Sequence, residues 1–202
     1  MMNKIDFKEI KNRVSLCGLS TNLDELVLKP FFGVHHIHEW DHGYESYNGY
    51  NGTRREFYSD MRDMLSFLLD YAETNNISTA IVAPLFTQCQ FSSMRAYPDK
   101  TKSLYKEIHE FLKNLNIRSD SRCGVEFTIK GNENIIEMVL EGAFLDDVSN
   151  LRIFFPDNSV IIDLNHHFDI AFFTTNFEKE KSTIMSILNR HPNLKYYERA
   201  NN

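Results

Sequence analysis

The chain has few cysteines, and none are spaced as a metal or redox pair. Cys17, Cys89 and Cys123 lie far apart in the 202 residues, which argues against a zinc ribbon or a Cys-x-x-Cys redox centre. No apolar stretch reaches the roughly 18 residues of a membrane helix, and the N-terminus lacks the apolar core of a signal peptide. We therefore expect reduced thiols, no membrane association and a cytoplasmic location.

Positive charge is also scarce. The chain has 22 Lys and Arg against 28 Asp and Glu, for a formal net charge of −6. Proteins that follow nucleic-acid phosphates usually carry a basic cluster, whereas here the basic residues are dispersed among acids. The charge disfavours nucleic-acid backbone binding and suits a basic protein partner.

Two widespread catalytic signatures are missing. The sequence contains neither a Gly-x-Ser-x-Gly nucleophile elbow nor a Gly-x-x-x-x-Gly-Lys phosphate loop. The motifs therefore leave open whether the protein is an enzyme.

The composition is that of a globular protein, with 42% hydrophobic and 25% charged residues. A chain of this length buries roughly 70% of its unfolded surface, so it needs no disulfide or metal for stability. We predict a single domain over residues 1–202. The alternative division is an N-terminal lobe over 1–121 and a C-terminal sheet region over 122–202.

The clearest helix signals lie in the N-terminal half. Thr53 and Glu56 have the Thr-x-x-Glu spacing of a capping box, and apolar residues then recur with helical period to residue 74. Further elements predicted from period and composition are helices over 6–14 and 99–115 and a strand over 77–85.

The C-terminal half alternates apolar and polar residues, which is the period of half-buried strands. The short turns between these segments require antiparallel pairing. Ile136 to Glu141 also fits a helix, but the turn before it favours a hairpin strand. Thr175 and Glu178 predict a second capping box, opening a helix that ends before Pro192. The predicted strands cover 123–130, 136–141, 151–155, 159–164, 168–174 and, at the sheet edge, 194–197.

These patterns together predict an α+β fold. Strands cluster in sequence instead of alternating with helices, which argues against an α/β fold. We expect an antiparallel meander sheet in the C-terminal half, packed with about three to four helices.

A histidine-rich motif, His36-x-His38-x-x-Asp41-His42, stands out. Neutral imidazoles and a carboxylate are ligands for zinc and other divalent metals. On a strand, His36 and His38 project to the same side and can share one ion, while Asp41 and His42 return from the following loop. The motif predicts a site for zinc or another divalent metal. The alternatives are histidines bonded to backbone, or a pH-sensitive histidine pair.

The same motif resembles the His-x-His-x-Asp-His pattern of metallo-β-lactamase-type hydrolases. It differs by one inserted residue between the second His and the Asp. The resemblance implies metal-dependent hydrolysis, but because of the insertion we do not assign the chain to that family.

Aromatic and acidic residues are concentrated in the same stretch. Tyr and Trp interleaved with Gly, Ser and Asn are typical of adaptable recognition loops. The alternative is a compact loop whose rings pack on their own core. The residues predicted to bind a partner are Trp40, Tyr44, Tyr47, Tyr50, Glu39 and Glu45.

A second polar cluster falls at a predicted hairpin tip and contains Asp163, His166, His167 and Asp169. Polar residues at a hairpin tip need no functional explanation. If the tip folds beside the histidine motif, however, the two clusters would form one site.

Three functions are compatible with these features, the least specific being a small-molecule sensor or a structural protein. We expect a small acidic binding protein, such as an immunity or antitoxin-type inhibitor of a basic protein partner. The alternative is a metal-dependent hydrolase that uses the cluster from His35 to His42.

Overall fold

The computed structural model describes residues 2–38, 40, 52–84, 102–118, 121–145, 151–165 and 167–199. Within these ranges the chain forms one eight-stranded antiparallel sheet with helices on both faces. The predicted α+β class is confirmed.

Six helices occur in the described part of the chain, more than the three to four predicted. The longest begins at the predicted capping box, where the Thr53 hydroxyl accepts the Glu56 N–H and the Glu56 carboxylate accepts the Thr53 N–H. The helices are α1 (Phe7–Leu16), α2 (Leu23–Leu26), α3 (Arg54–Thr74), α4 (Lys102–Asn114), α5 (Glu133–Phe144) and α6 (Phe177–Leu188).

The strands run in the spatial order β1-β4-β3-β5-β6-β7-β2-β8, and each neighbouring pair is antiparallel. The last strand lies at the sheet edge, as predicted. Their bounds are β1 (Met2–Asp6), β2 (Phe31–His36), β3 (Thr79–Ala83), β4 (Cys123–Thr128), β5 (Arg152–Phe155), β6 (Val160–Asn165), β7 (Asp169–Thr174) and β8 (Leu194–Arg199).

The antiparallel sheet is confirmed, but it is not confined to the C-terminal half as predicted. β1, β2 and β3 come from the N-terminal half, and two of them are central. β2 lies between β7 and β8, and β3 lies between β4 and β5. Strands that pair across such long sequence separations have no connecting turn, so the turn chemistry that predicts a hairpin is missing.

The strand predicted over 136–141 is also wrong, because this segment belongs to α5. Ile136, Val139, Leu140 and Ala143 are all buried on one helical face, as a period of 3.6 residues requires. β4 already pairs with β1 and β3. Both of its edges are therefore occupied, and no place is left for a hairpin partner.

The second predicted capping box does not form. Asn176 is the N-cap of α6 and makes no side-chain cap hydrogen bond. The Thr175 hydroxyl instead donates to the Cys17 carbonyl oxygen at 3.2 Å. The predicted end of this helix before Pro192 is confirmed, since α6 stops at Leu188.

The two faces of the sheet bury two separate cores. The larger core lies between the sheet and α3, α4, α5 and α6, and the smaller lies under α1 and α2. Side chains alternate along a strand, so Phe32, Val34 and His36 of β2 face the larger core. Phe31 and His35 face the opposite side.

Buried polar contacts hold α3 against the C-terminal segment. The Tyr71 hydroxyl donates to the Glu180 carboxylate of α6, and both side chains are buried. Burial, together with this carboxylate, raises the pKa of Tyr71, so the phenol remains the donor. His191 Nε2 lies 3.0 Å from Asp70 Oδ2. These contacts join the C-terminal end of α3 to α6 and to the segment before β8.

Candidate metal centre

The side chains of His36, His38 and Asp60 converge where β2 meets the second turn of α3. Asp60 Oδ2 is 3.0 Å from His38 Nδ1 and 3.6 Å from His36 Nδ1. All three residues offer ligand atoms within 4.8 Å of one another. His36 and Asp60 are buried and His38 is exposed, so the cluster is open to solvent on its His38 side.

Trp40 orients the Asp60 carboxylate. Its indole Nε1–H donates to Asp60 Oδ2 at 2.9 Å. The indole is fully buried, with ring centroids 5.3 Å from Phe57 and 5.8 Å from Phe168. Because the ring is held by this packing, the carboxylate keeps one direction.

A second carboxylate orients His36. Its Nε2 lies 3.5 Å from Asp63 Oδ2, which also accepts a hydrogen bond from Asn193 Nδ2 at 2.8 Å. His36 Nδ1 accepts the His38 backbone N–H at 3.1 Å, so the neutral ring carries its proton on Nε2. A histidine that binds metal typically donates its other ring N–H to a carboxylate in this way.

The structure thus brings together two of the four predicted metal ligands, His36 and His38. Trp40, predicted to bind a partner, is a core residue. The other predicted site residues lie outside the described residues; these are Asp41 and His42 of the metal motif, and Glu39, Tyr44, Glu45, Tyr47 and Tyr50 of the aromatic loop.

Asp60 and Asp63 were not predicted as site residues. On a surface helix, acidic residues ordinarily belong to the solvated face, and α3 contains several. The sequence does contain one indication that Asp60 is not on the solvated face. It follows Phe57 by three residues and therefore lies on the apolar stripe of α3.

The tip of the β6–β7 hairpin lies beside the centre. The Phe168 carbonyl accepts the His36 backbone N–H at 3.0 Å. His167 Nδ1 lies 3.2 Å from the Trp40 carbonyl oxygen. These contacts fix the backbone on either side of His38.

The acids of the second polar cluster do not join this site. Asp163 and Asp169 lie on the opposite face of the sheet, where they line a cavity. His166 lies outside the described residues. The acids of the second cluster are therefore separate from the metal centre, whereas His167 of the same cluster lies beside it.

Comparison with known proteins gives no match to a protein-family model, a curated protein or a solved structure. Across the described residues, every helix is too short or too polar to span a bilayer. Function is therefore inferred from the side chains alone.

Proposed function

We propose that the protein binds a divalent transition metal at His36, His38 and Asp60 and uses it for hydrolysis. The observation that carries this proposal is the convergence of two imidazoles and a carboxylate, two of them buried. Nitrogen and carboxylate donors in this proportion favour zinc over calcium or magnesium, which prefer oxygen ligands.

The spacing of the donor atoms supports a tetrahedral ion. With bonds of about 2.1 Å, neighbouring ligands of tetrahedral zinc lie about 3.4 Å apart. The distances from Asp60 Oδ2 to the two histidine Nδ1 atoms, 3.0 and 3.6 Å, lie on either side of that value. To bind an ion through Nδ1, His36 must release the His38 backbone N–H that this nitrogen accepts at 3.1 Å, because the ring nitrogen has a single in-plane lone pair.

Three protein ligands suit a catalytic ion better than a purely structural one. Catalytic zinc typically has three protein ligands and keeps its fourth position for water, whose pKa it lowers to about 7. The exposed edge at His38 leaves a path for substrate. The buried indole of Trp40 shields the other side of the Asp60 carboxylate.

The competing explanation is that hydrogen bonding alone organises the cluster. Asp60 Oδ2 accepts from Trp40 Nε1 and is within hydrogen-bonding distance of His38 Nδ1. Such a network satisfies the buried carboxylate without an ion. The two explanations differ in whether the purified protein binds stoichiometric metal.

Elemental analysis tests the proposal directly. The protein is loaded with zinc or manganese, dialysed and compared with the double variant His36→Ala/His38→Ala. His35→Ala is the matched control, because it removes the adjacent imidazole from the opposite face. We expect about one ion per chain in the wild type and in the control, and none in the double variant. No ion in the wild type, or an undiminished ion in the double variant, would overturn the proposal.

Hydrolysis is tested separately on ester and phosphoester substrates with the metal-loaded protein. We expect turnover that requires added zinc or manganese and disappears in the double variant. If the protein binds one ion per chain but turns over none of these esters and phosphoesters, the proposed hydrolysis is contradicted and the proposed metal binding is not.

The partner-binding function stays a prediction. It depends on the aromatic loop, of which only Trp40 is described, and Trp40 is buried. A pull-down with a loop variant, Tyr44→Ala/Tyr47→Ala, tests it. The predicted cytoplasmic location likewise stays a prediction.

A further inference from the structure

A cavity of about 480 Å³ opens on the face of the sheet opposite the metal centre. Asp163, Asn165 and Asp169 from β6 and β7 line one part of it. The rings of Phe31 and Phe173 line another, 5.1 Å apart between centroids. Apolar walls with a few convergent polar groups, in a volume of this order, are typical of small-molecule sites.

Two of the three acids that line the cavity have cationic partners. Asp163 is paired with Arg152, and Glu198 with Lys181 at 2.6 Å. Asp169 differs from both. Its Oδ1 is buried and makes no hydrogen bond in the part of the chain that the structure describes. A buried carboxylate oxygen with no partner raises the free energy of the folded protein.

The groups around Asp169 leave its charge only partly compensated. Burial raises the pKa of this carboxyl, and the Asp163 carboxylate adds to that effect. The Tyr197 phenol and the rings of His35 and His167 act in the opposite direction. Burial is the largest of these effects, so the pKa lies above that of an ordinary aspartate. A cation at the unpartnered Oδ1 would favour the ionised carboxylate.

The distribution of charge along the cavity limits the ligand to one cationic group. Arg199 lies at the other end, 5.8 Å from the centroid of the Phe31 ring. Across β2, Arg199 is opposite Phe31 and Asp169 is opposite His35. These positions are four residues apart, or roughly 13 Å along the strand. A polyamine long enough to reach Arg199 would be repelled there.

We propose that this cavity binds a small primary monoamine with an aromatic or other apolar body. The ammonium group donates to Asp169 Oδ1, and the body packs on Phe31 and Phe173. Aromatic faces attract cations, and charge-assisted hydrogen bonds are stronger than neutral ones. The same cavity therefore selects the amine over neutral or anionic molecules of the same shape.

Isothermal titration calorimetry with three probes tests this selectivity. Phenethylamine carries the ammonium group, phenethyl alcohol is its neutral analogue, and 3-phenylpropionate is an anion of similar size. We expect the wild type to bind phenethylamine about 10- to 100-fold more tightly than the alcohol, and the anion more weakly still. Equal affinity for the amine and the alcohol would overturn the proposal, as would no amine binding at all.

Asp169→Asn is the decisive variant, because it keeps the shape of the side chain and removes its charge. We expect it to lose the preference for the amine while still unfolding cooperatively. Asp157→Asn is the matched control, since Asp157 is an exposed aspartate away from the cavity. Its affinity for phenethylamine should equal that of the wild type. Tight amine binding by Asp169→Asn would contradict the assigned contact. The probe series in the wild type still decides the proposal if this variant fails to fold.

Discussion

The phenol ring of Tyr197 in β8 lies directly over Gly33 in β2. A Cβ atom on Gly33 would lie 2.3 Å from both Cζ and the hydroxyl oxygen of Tyr197, which is closer than van der Waals contact allows. Glycine is required here because of this close approach. The Tyr197 ring lies above β2, and its hydroxyl reaches Asp169 of β7, the next strand. This hydroxyl favours the ionised form of the Asp169 carboxyl.

Gly33→Ala is therefore expected to destabilise the protein by about 1–3 kcal/mol, because overpacking forces the Tyr197 ring to move. In a Tyr197→Ala background the same substitution should cost little. Urea unfolding of the two single variants and the double variant gives the coupling between the positions. An equal cost in both backgrounds would show that the ring is not the cause.

Asp63 is expected to tune metal affinity without being a ligand. Asp63→Ala removes the carboxylate that faces His36 Nε2, and the metal affinity should fall about 10- to 100-fold, as is usual for partners of metal-binding histidines. Asp70→Ala, on the same helix, removes the carboxylate beside His191 and should leave the affinity unchanged. Zinc titration against a competing chelator measures both. Equal losses in the two variants would indicate a general effect on α3.

Asp60 separates the metal-binding explanation from the hydrogen-bonding one. Asp60→Ala leaves the buried Trp40 N–H without its acceptor, which costs about 1–3 kcal/mol. Asp60→Asn keeps an oxygen for that bond and should cost less. Added zinc should raise the Tm of the wild type, because it binds the folded state, and should leave the Tm of both variants unchanged. A similar zinc-induced rise in Asp60→Asn would remove Asp60 from the ligand set.

Glu141 is expected to make the folded protein less stable as the pH rises. Burial raises its pKa, and the carboxylates of Glu107 and Glu137 add to this, while the Tyr58 hydroxyl and Arg54 oppose it. When the pKa of a carboxyl is higher in the folded than in the unfolded protein, the free energy of unfolding falls as the pH rises from the unfolded pKa to the folded pKa. Above the folded pKa, the full loss of stability remains.

Glu141→Gln removes this titration and keeps an oxygen for the Tyr58 hydroxyl. We expect the variant to be more stable than the wild type at pH 7, and the difference to disappear below the pKa of an ordinary glutamate. Urea unfolding across this pH range measures it. Glu73→Gln, at an exposed position of α3, controls for the change in net charge. A difference between variant and wild type that does not change with pH would contradict the assignment.

The predictable parts of the fold are those whose signals are local. The start of α3 is encoded within four residues, by Thr53 and Glu56. The strands β5, β6 and β7 are joined by short turns that force antiparallel pairing. By contrast, the apolar residues from Ile136 to Leu140 fit both the helical and the strand period. The segment is a helix because both edges of β4 are already paired with other strands.

The candidate site was predictable only where its residues are neighbours in sequence. His36 and His38 share a short motif, whereas Asp60 lies 22 residues after His38. The joining of these residues depends on how α3 packs on β2, which no local pattern encodes. The cavity is even harder to predict from the sequence. Its residues come from β2, β6, β7 and β8, and these strands pair across most of the length of the chain.

His35 and His36 are consecutive residues of one strand, yet their rings lie on opposite sides of the sheet, one near Tyr197 and the other near Asp60. A backbone displacement that draws one ring toward its neighbours moves the other ring as well. The strand β2 is therefore shared by the two faces. If an ion bound on one side changes the affinity for the amine on the other side by some factor, the bound amine must change the affinity for the ion by the same factor.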